Sequence, residues 1–160
     1  MSKLKNYKNI ELIIMGEGVE KNNLIKLSNK LKTNVKFIPY QNSENAKNII
    51  SQADIGLVSL LKGVYKYSYP SKTMTYLELG KPIIAIVEKE SQIANDIFSG
   101  GFGYVISDNI KVRLSGLLLH LEQNREEIVL KSTNALKNNE KLFSEEKILK
   151  KWEFIINKYY

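Results

Sequence analysis

Short unbroken apolar runs alternate with longer amphipathic stretches along the first two-thirds of the chain, and this alternation restricts the fold more than any other feature. Residues 11–15 (ELIIM), 35–38 (VKFI), 55–59 (IGLVS), 83–87 (IIAIV) and 104–106 read as strands. Most lack the polar alternation of a half-exposed sheet, so central strands covered on both faces are expected. Residues 20–31, 43–52, 71–79 and 90–98 carry helical patterning between them. A repeated β-α-β-α order predicts an α/β fold, a parallel sheet with crossover helices on both faces. Right-handed crossovers put the loops that follow the strands along one edge, where such sheets bind ligands.

Beyond Asp108 the strands stop. Residues 109–123, 125–137 and 144–158 have helical periodicity, and Ile148, Leu149, Trp152, Ile155 and Ile156 make an apolar face spaced by three and four. This helical C-terminal tail is expected to pack back on the domain or to reach a neighbour. No Gly-, Pro- or Ser-rich linker and no repeat divides the sequence, so residues 1–160 read as a single domain.

Composition narrows the chemistry. With 43% hydrophobic and 26% charged residues, 160 residues suffice for a real core. Cysteine is absent, which removes disulfides and thiolate metal sites and fits a reducing, cytoplasmic setting. The single histidine, His120, lies in Leu-Leu-Leu-His-Leu-Glu and reads as structural. The net charge of +7 comes almost entirely from dispersed Lys. Arg113 and Arg125 are the only arginines, so a nucleic-acid partner is not expected.

Three features fall on the expected ligand edge. Gly16-Glu17-Gly18 follows the first strand, and glycine there permits a tight turn with amides close to a ligand. Alone, it equally describes an ordinary β-to-α turn. Pro39 and Tyr40 end the second strand, where the Tyr40 ring can approach a flat base; a strand-ending proline beside a half-buried tyrosine is the plainer reading. The third runs from the end of the third strand to Pro82. Pro70 and Ser71 open a helix, Ser68 or Ser71 can cap it, and Lys72 adds a cation in its first turn. Cap, loop and cation coincide at a helix start, which suits an anion such as a phosphate. Residues 99–104 (SGGFGY) also look like a phosphate loop, but they follow a helix and precede a strand. They are expected to be a helix stop with tight packing.

From residue 10 to 106 the sequence resembles the C-terminal domain of GT-B glycosyltransferases of the large retaining family 4 group. The matching pieces are the first strand with Gly16-Glu17-Gly18, Asn34-Val35-Lys36-Phe37, Ala53-Asp54-Ile55-Gly56-Leu57 and Tyr69-Pro70-Ser71-Lys72. Tyr76-Leu77-Glu78-Leu79-Gly80-Lys81-Pro82-Ile83-Ile84-Ala85 and Gly101-Phe102-Gly103-Tyr104-Val105 complete them. The Pro-Ser-Lys and Gly-Lys-Pro pairing looks most like bacterial capsule and O-antigen transferases. The resemblance implies a Rossmann-like domain binding a nucleoside-diphosphate sugar, with UDP as the expected nucleotide. Gly16 to Gly18 would face diphosphate or sugar, Pro39 and Tyr40 the base, and Ser68 to Lys72 the phosphates. Many relatives carry two glutamates around this helix; counted back from Gly80, those positions hold Tyr67 and Thr75. Neither carboxylate contact carries over.

The resemblance also implies an extra strand and a phosphate loop ahead of residue 8, where residues 1–9 read as a polar lead-in. An acceptor-binding N-terminal domain is implied as well. Residues 1–160 alone are therefore expected to bind donor weakly and to transfer no sugar. Lys72 and the helix amides after Pro70 would stabilise charge on the departing diphosphate. No Asp-x-Asp motif occurs, and neither metal nor cofactor is expected. A saccharide or lipid-linked acceptor, and peripheral contact with the inner face of a membrane, are further expectations. A sugar-nucleotide epimerase of the same fold and a non-enzymatic basic module are the alternatives.

Overall fold

A computed structural model describes Leu4 and residues 7–159, apart from the side chains of Glu145 and Lys151. Part of the expected polar lead-in therefore lies outside the described residues. Leu4, within it, is buried.

The elements run β1 (Leu12–Met15), α1 (Lys21–Leu31), β2 (Val35–Ile38), α2 (Ser43–Ser51), β3 (Gly56–Ser59), a 3-10 turn (Val64–Lys66), α3 (Lys72–Glu78), β4 (Ile83–Ile86), α4 (Gln92–Gly100) and β5 (Gly103–Ile106). Helices α5 (Ile110–Gln123), α6 (Arg125–Phe143) and α7 (Glu145–Tyr159) follow. All the pairings are parallel. β1 lies beside β2 with Leu12 opposite Val35, and β3, β4 and β5 lie side by side with Gly56 opposite Ile83 and Ile83 opposite Gly103.

The strands do not form the single sheet expected from the sequence. β1 and β2 make one sheet, and β3, β4 and β5 make another. Alternate residues of a strand aim their backbone groups at opposite edges. The N–H groups of Leu12 and Gly16 reach Asn34 and Ile38 beside β2, while those of Gly56 and Leu60 reach Pro82 and Ile86 beside β4. Ile13 and Met15 on β1, and Leu57 and Ser59 on β3, are turned the other way. Between those edges lies a cleft of ≈ 840 Å³, walled by apolar side chains that include Ile49, Leu118 and Ile128. The expectation of strands covered on both faces is corrected accordingly: Ile13 is 39% and Leu57 36% exposed.

β4 is the strand that does fit that expectation. Its Ile83, Ile84 and Ala85 are all buried, and it separates two cores. Ile83, Ala85, Leu77, Ile93, Ile97, Phe102 and Ala135 form one, closed by α3, α4 and α6. Ile84, Ile106, Leu121 and Ile128 form the other, under α5 and the start of α6. Each fully buried aliphatic side chain stabilises the fold by about 1.5–3 kcal/mol relative to exposure.

Local signals explain most helix ends. Asn42 and Ser91 cap α2 and α4 by accepting from the Asn45 and Ala94 amides. Gly101 ends α4 in the left-handed region at φ 62. As expected, residues 99–104 are a helix stop with tight packing: a Cβ on Gly103 would overlap the Ile83 carbonyl oxygen. The tail departs from expectation at α6, which runs on to Phe143. The Asn138 side chain donates to the Gly100 and Asn134 carbonyls, and Leu142 and Phe143 pack on the first core. The apolar face of α7 stays open, with Trp152 59% exposed. Among the described residues, no helix is long and apolar enough to cross a membrane.

Candidate functional site

The C-terminal end of β3 and the start of α3 enclose a pocket of ≈ 330 Å³. Residues 57–60 form one wall, and Ser68, Tyr69, Pro70, Ser71 and Lys72 form the other. Four of the residues singled out in the sequence, Ser68, Pro70, Ser71 and Lys72, thus meet in one hollow. Lys72 also borders the larger cleft, together with Thr75 and with Met15 from the end of β1. Its ammonium group forms no ion pair among the described residues, which leaves it a free cation at the strand end. Beside it the Thr73 hydroxyl is buried and has no hydrogen-bond partner among the described residues.

The expected cap is corrected. α3 begins at Lys72, and Ser71 in the cap position has φ −59 and ψ −29 with no side-chain hydrogen bond to the helix. Helical dihedrals at Ser71 replace the extended backbone that brings a cap hydroxyl onto the second or third amide. Ser68 forms no such bond either. Its amide instead donates to the Val64 carbonyl after the 3-10 turn. The serine hydroxyls of the loop are therefore not committed to capping.

Gly16, Glu17 and Gly18 follow β1, and Pro39 and Tyr40 follow β2, so these two loops are neighbours. The Gly16 N–H donates to the Ile38 carbonyl. The Glu17 carboxyl is held below its usual range, first by a hydrogen bond from Lys21 at 2.7 Å and also by the Tyr40 backbone amide. Gly16 has φ 122 and depends on glycine there. Tyr40 is 74% exposed and offers its ring to solvent rather than to a core. These five residues line neither the small pocket nor the cleft wall, and Tyr67, at 91% exposure, stands outside both. The structure thus gathers the expected site into two groups, one at the β1–β2 ends and one at the β3 end.

The remaining signals resolve into structural roles. Glu78 faces away from the pocket and pairs with Lys47 at 2.6 Å. His120 contacts Glu127 at 2.6 Å, and that carboxyl also accepts from the Tyr104 hydroxyl at 2.9 Å. These bonds, with His120 the larger cause, hold Glu127 below the ordinary carboxylate range. Two contacts have no counterpart in the sequence motifs: the Tyr69 hydroxyl donates to Asp96 at 3.0 Å, and Glu88 accepts from the Gly63 amide at 2.6 Å. No local pattern marks either pair.

Parallel strands threaded in this order, with helices beside them and a helical tail, have the architecture of a GT-B glycosyltransferase domain. The family model Glycosyl transferases group 1 matches residues 1–143, and the chain belongs to that family. It is 32% identical over 69 residues to the probable glycosyltransferase WbjE of Pseudomonas aeruginosa, a match over 43% of this chain and 17% of WbjE. Its fold is similar to that of Anabaena Alr3699/HepE, solved in complex with UDP: TM-score 0.77 at 14% identity, covering 97% of this chain and 43% of HepE. TarM is similar at TM-score 0.72 and 19% identity, covering 96% of this chain and 30% of TarM. The chain thus spans less than half the length of each of these proteins.

Proposed function

We propose that this domain binds a nucleoside-diphosphate sugar, with UDP as the nucleotide, and presents it for transfer to a saccharide or lipid-linked acceptor. One observation carries the reading. In a chain of the glycosyl transferases group 1 family, Ser68, Pro70, Ser71 and the unpaired Lys72 converge on a hollow at the end of β3. Uncommitted hydroxyls and a free cation are what a diphosphate asks of a protein. The HepE complexes with UDP and with UDP-glucose support the choice of nucleotide.

In this reading Tyr40 meets the base, Gly16 to Gly18 and Thr75 flank the diphosphate and sugar, and Lys72 neutralises charge growing on the leaving phosphate. Transfer proceeds with retention and with no carboxylate of this domain as nucleophile. Tyr67 and Thr75 stand where many relatives carry glutamates, so the sugar is held without those carboxylates; the pairing of Pro70-Ser71-Lys72 with Gly80-Lys81-Pro82 supports an amino or deoxy sugar of a capsule or O-antigen. Donor and acceptor meet on the cytoplasmic side, with peripheral contact to the membrane surface. The acceptor is held by a further domain, and a further parallel strand completes the sheet.

Calorimetry tests the reading with UDP and the unaltered chain against Lys72→Ala. Loss of one charge-assisted contact is expected to weaken binding about tenfold or more. The affinity of the unaltered chain should not change with EDTA. Equal affinities of the two proteins would remove Lys72 from the site.

A further inference from the structure

The connection between β3 and α3 carries most of the phosphate-side residues, yet little of it is packed. Tyr67 near its middle is 91% exposed and Leu61 at its start is 81% exposed. Ordering an unpacked backbone costs about 1–2 kcal/mol per residue, so a loop of this kind needs other restraints to hold a shape. Two carboxylates from the following β-α unit supply them. Glu88, just past the end of β4, accepts from the Gly63 backbone N–H at 2.6 Å. Gly63 sits at φ 81, where the chain reverses into the 3-10 turn. At the other end Asp96 on α4 accepts from the Tyr69 hydroxyl at 3.0 Å, immediately before Pro70.

Both anchors are themselves fixed. Ser91 donates to the Glu88 carbonyl at 2.7 Å while capping α4. Gln92 donates to the second Asp96 oxygen at 2.7 Å. The Tyr69 ring meets Phe143 of α6 edge-on, with centroids 6.1 Å apart. A loop fastened at residues 63 and 69 by ionised acceptors is preorganised. The cost of ordering Ser68 to Lys72 is then met in folding instead of in binding.

We propose that Glu88 and Asp96 are positioning residues for the donor site, clamping both ends of the β3–α3 loop so that Ser68, Ser71 and Lys72 face the bound diphosphate. The proposal rests on the donor-binding reading above. Neither carboxylate touches the ligand. Each acts through the backbone or side chain it holds.

UDP affinity is measured by calorimetry for the full chain and for Glu88→Ala, Glu88→Gln and Tyr69→Phe, with thermal melts alongside. Glu88→Ala and Tyr69→Phe are each expected to weaken UDP about five- to tenfold, less than the loss of a direct charge-assisted contact because each bond acts only by ordering the loop. Glu88→Gln keeps an acceptor oxygen and is expected to recover about threefold or more of the loss, which a general loss of packing does not produce. Affinities equal to that of the unaltered chain, or identical losses in the Ala and Gln variants, overturn the proposal. The Gly63 amide proton is followed by NMR in the same proteins. It is expected downfield in the unaltered chain and at an ordinary loop position in Glu88→Ala; an amide indifferent to the substitution overturns the clamp. Should the unaltered chain bind no UDP, the donor reading fails, and the Gly63 resonance still decides whether the loop is clamped.

Discussion

At the scale of single residues, Gly103 is the position where the backbone tolerates least. Its missing Cβ is replaced in space by the Ile83 carbonyl oxygen, part of the β4–β5 ladder that has no freedom to withdraw. Gly103→Ala is therefore expected to cost about 2–3 kcal/mol, read as a lower urea midpoint with unchanged slope. Tyr69 makes a second residue-level prediction. Burial, and then the Asp96 charge, raise its hydroxyl pKa well above the ordinary tyrosine value of 10.0. Its proton is thus held more tightly in the folded chain than in the unfolded one. This contribution is whole below about pH 10 and is lost as pH rises toward the folded pKa. Thermal melts taken from pH 9 to pH 11 should fall less steeply in Tyr69→Phe than in the unaltered chain. Gly16, Pro70 and Lys72 could be read from the sequence because turns, helix starts and cations have local signatures. Glu88 and Asp96 could not, because their partners lie 25 and 27 residues away and nothing near either carboxylate points to them.

Among the elements, the strands and most helices were legible because each is framed by Gly, Pro, Ser or Asn. Ser91 shows how much one framing residue carries. Its buried hydroxyl accepts from the Ala94 amide at 3.3 Å and donates to the Glu88 carbonyl, so it fastens α4 and the end of β4 at once. Ser91→Ala is expected to destabilise the chain by about 1–2 kcal/mol. Asn42→Ala, which removes an exposed cap of α2, should cost about 1 kcal/mol or less; chemical unfolding of the two variants gives the comparison. Two features escaped the pattern. Ser71 looks like a cap, but a helical backbone there removes the geometry a cap needs. The sequence after Lys137 loses its apolar spacing, yet α6 continues because Asn138 is bonded to Gly100 of another helix and Leu142 and Phe143 reach the core. Both outcomes are tertiary, and propensity does not report them.

For the molecule as a whole, the division of the strands into two sheets is the dominant physical fact. Ile13 and Met15 of β1 and Leu57 of β3 line the same cleft and turn their backbone groups away from the strands they are paired with. Unpaired strand edges tend to recruit a partner. Among the described residues β1 is paired only with β2 and β3 only with β4, so a strand laid between β1 and β3 would make a ladder with the open edge of each. Ile49 and Ile50 on α2, and Leu114, Leu118 and Leu121 on α5, also line the cleft, so such a strand would be apolar on both faces. Filling the cleft would bury Ile13 and Leu57, now 39% and 36% exposed. At about 25 cal/mol per Å² of apolar surface, a gain of at least about 2 kcal/mol is expected, or roughly 5 °C in melting temperature for a domain of this size. Extending the chain ahead of Met1 by an apolar strand and a crossover helix provides the test. Hydrogen exchange at the Ile13, Met15, Leu57 and Ser59 amides should slow together, and the melting temperature should rise. If those amides exchange as fast in the extended chain as in this one, the two edges are not a slot for a strand. Donor affinity measured in the same pair of proteins adds a second readout. Met15 and Lys72 both border the cleft, so a strand that fixes their separation should tighten UDP binding along with the fold.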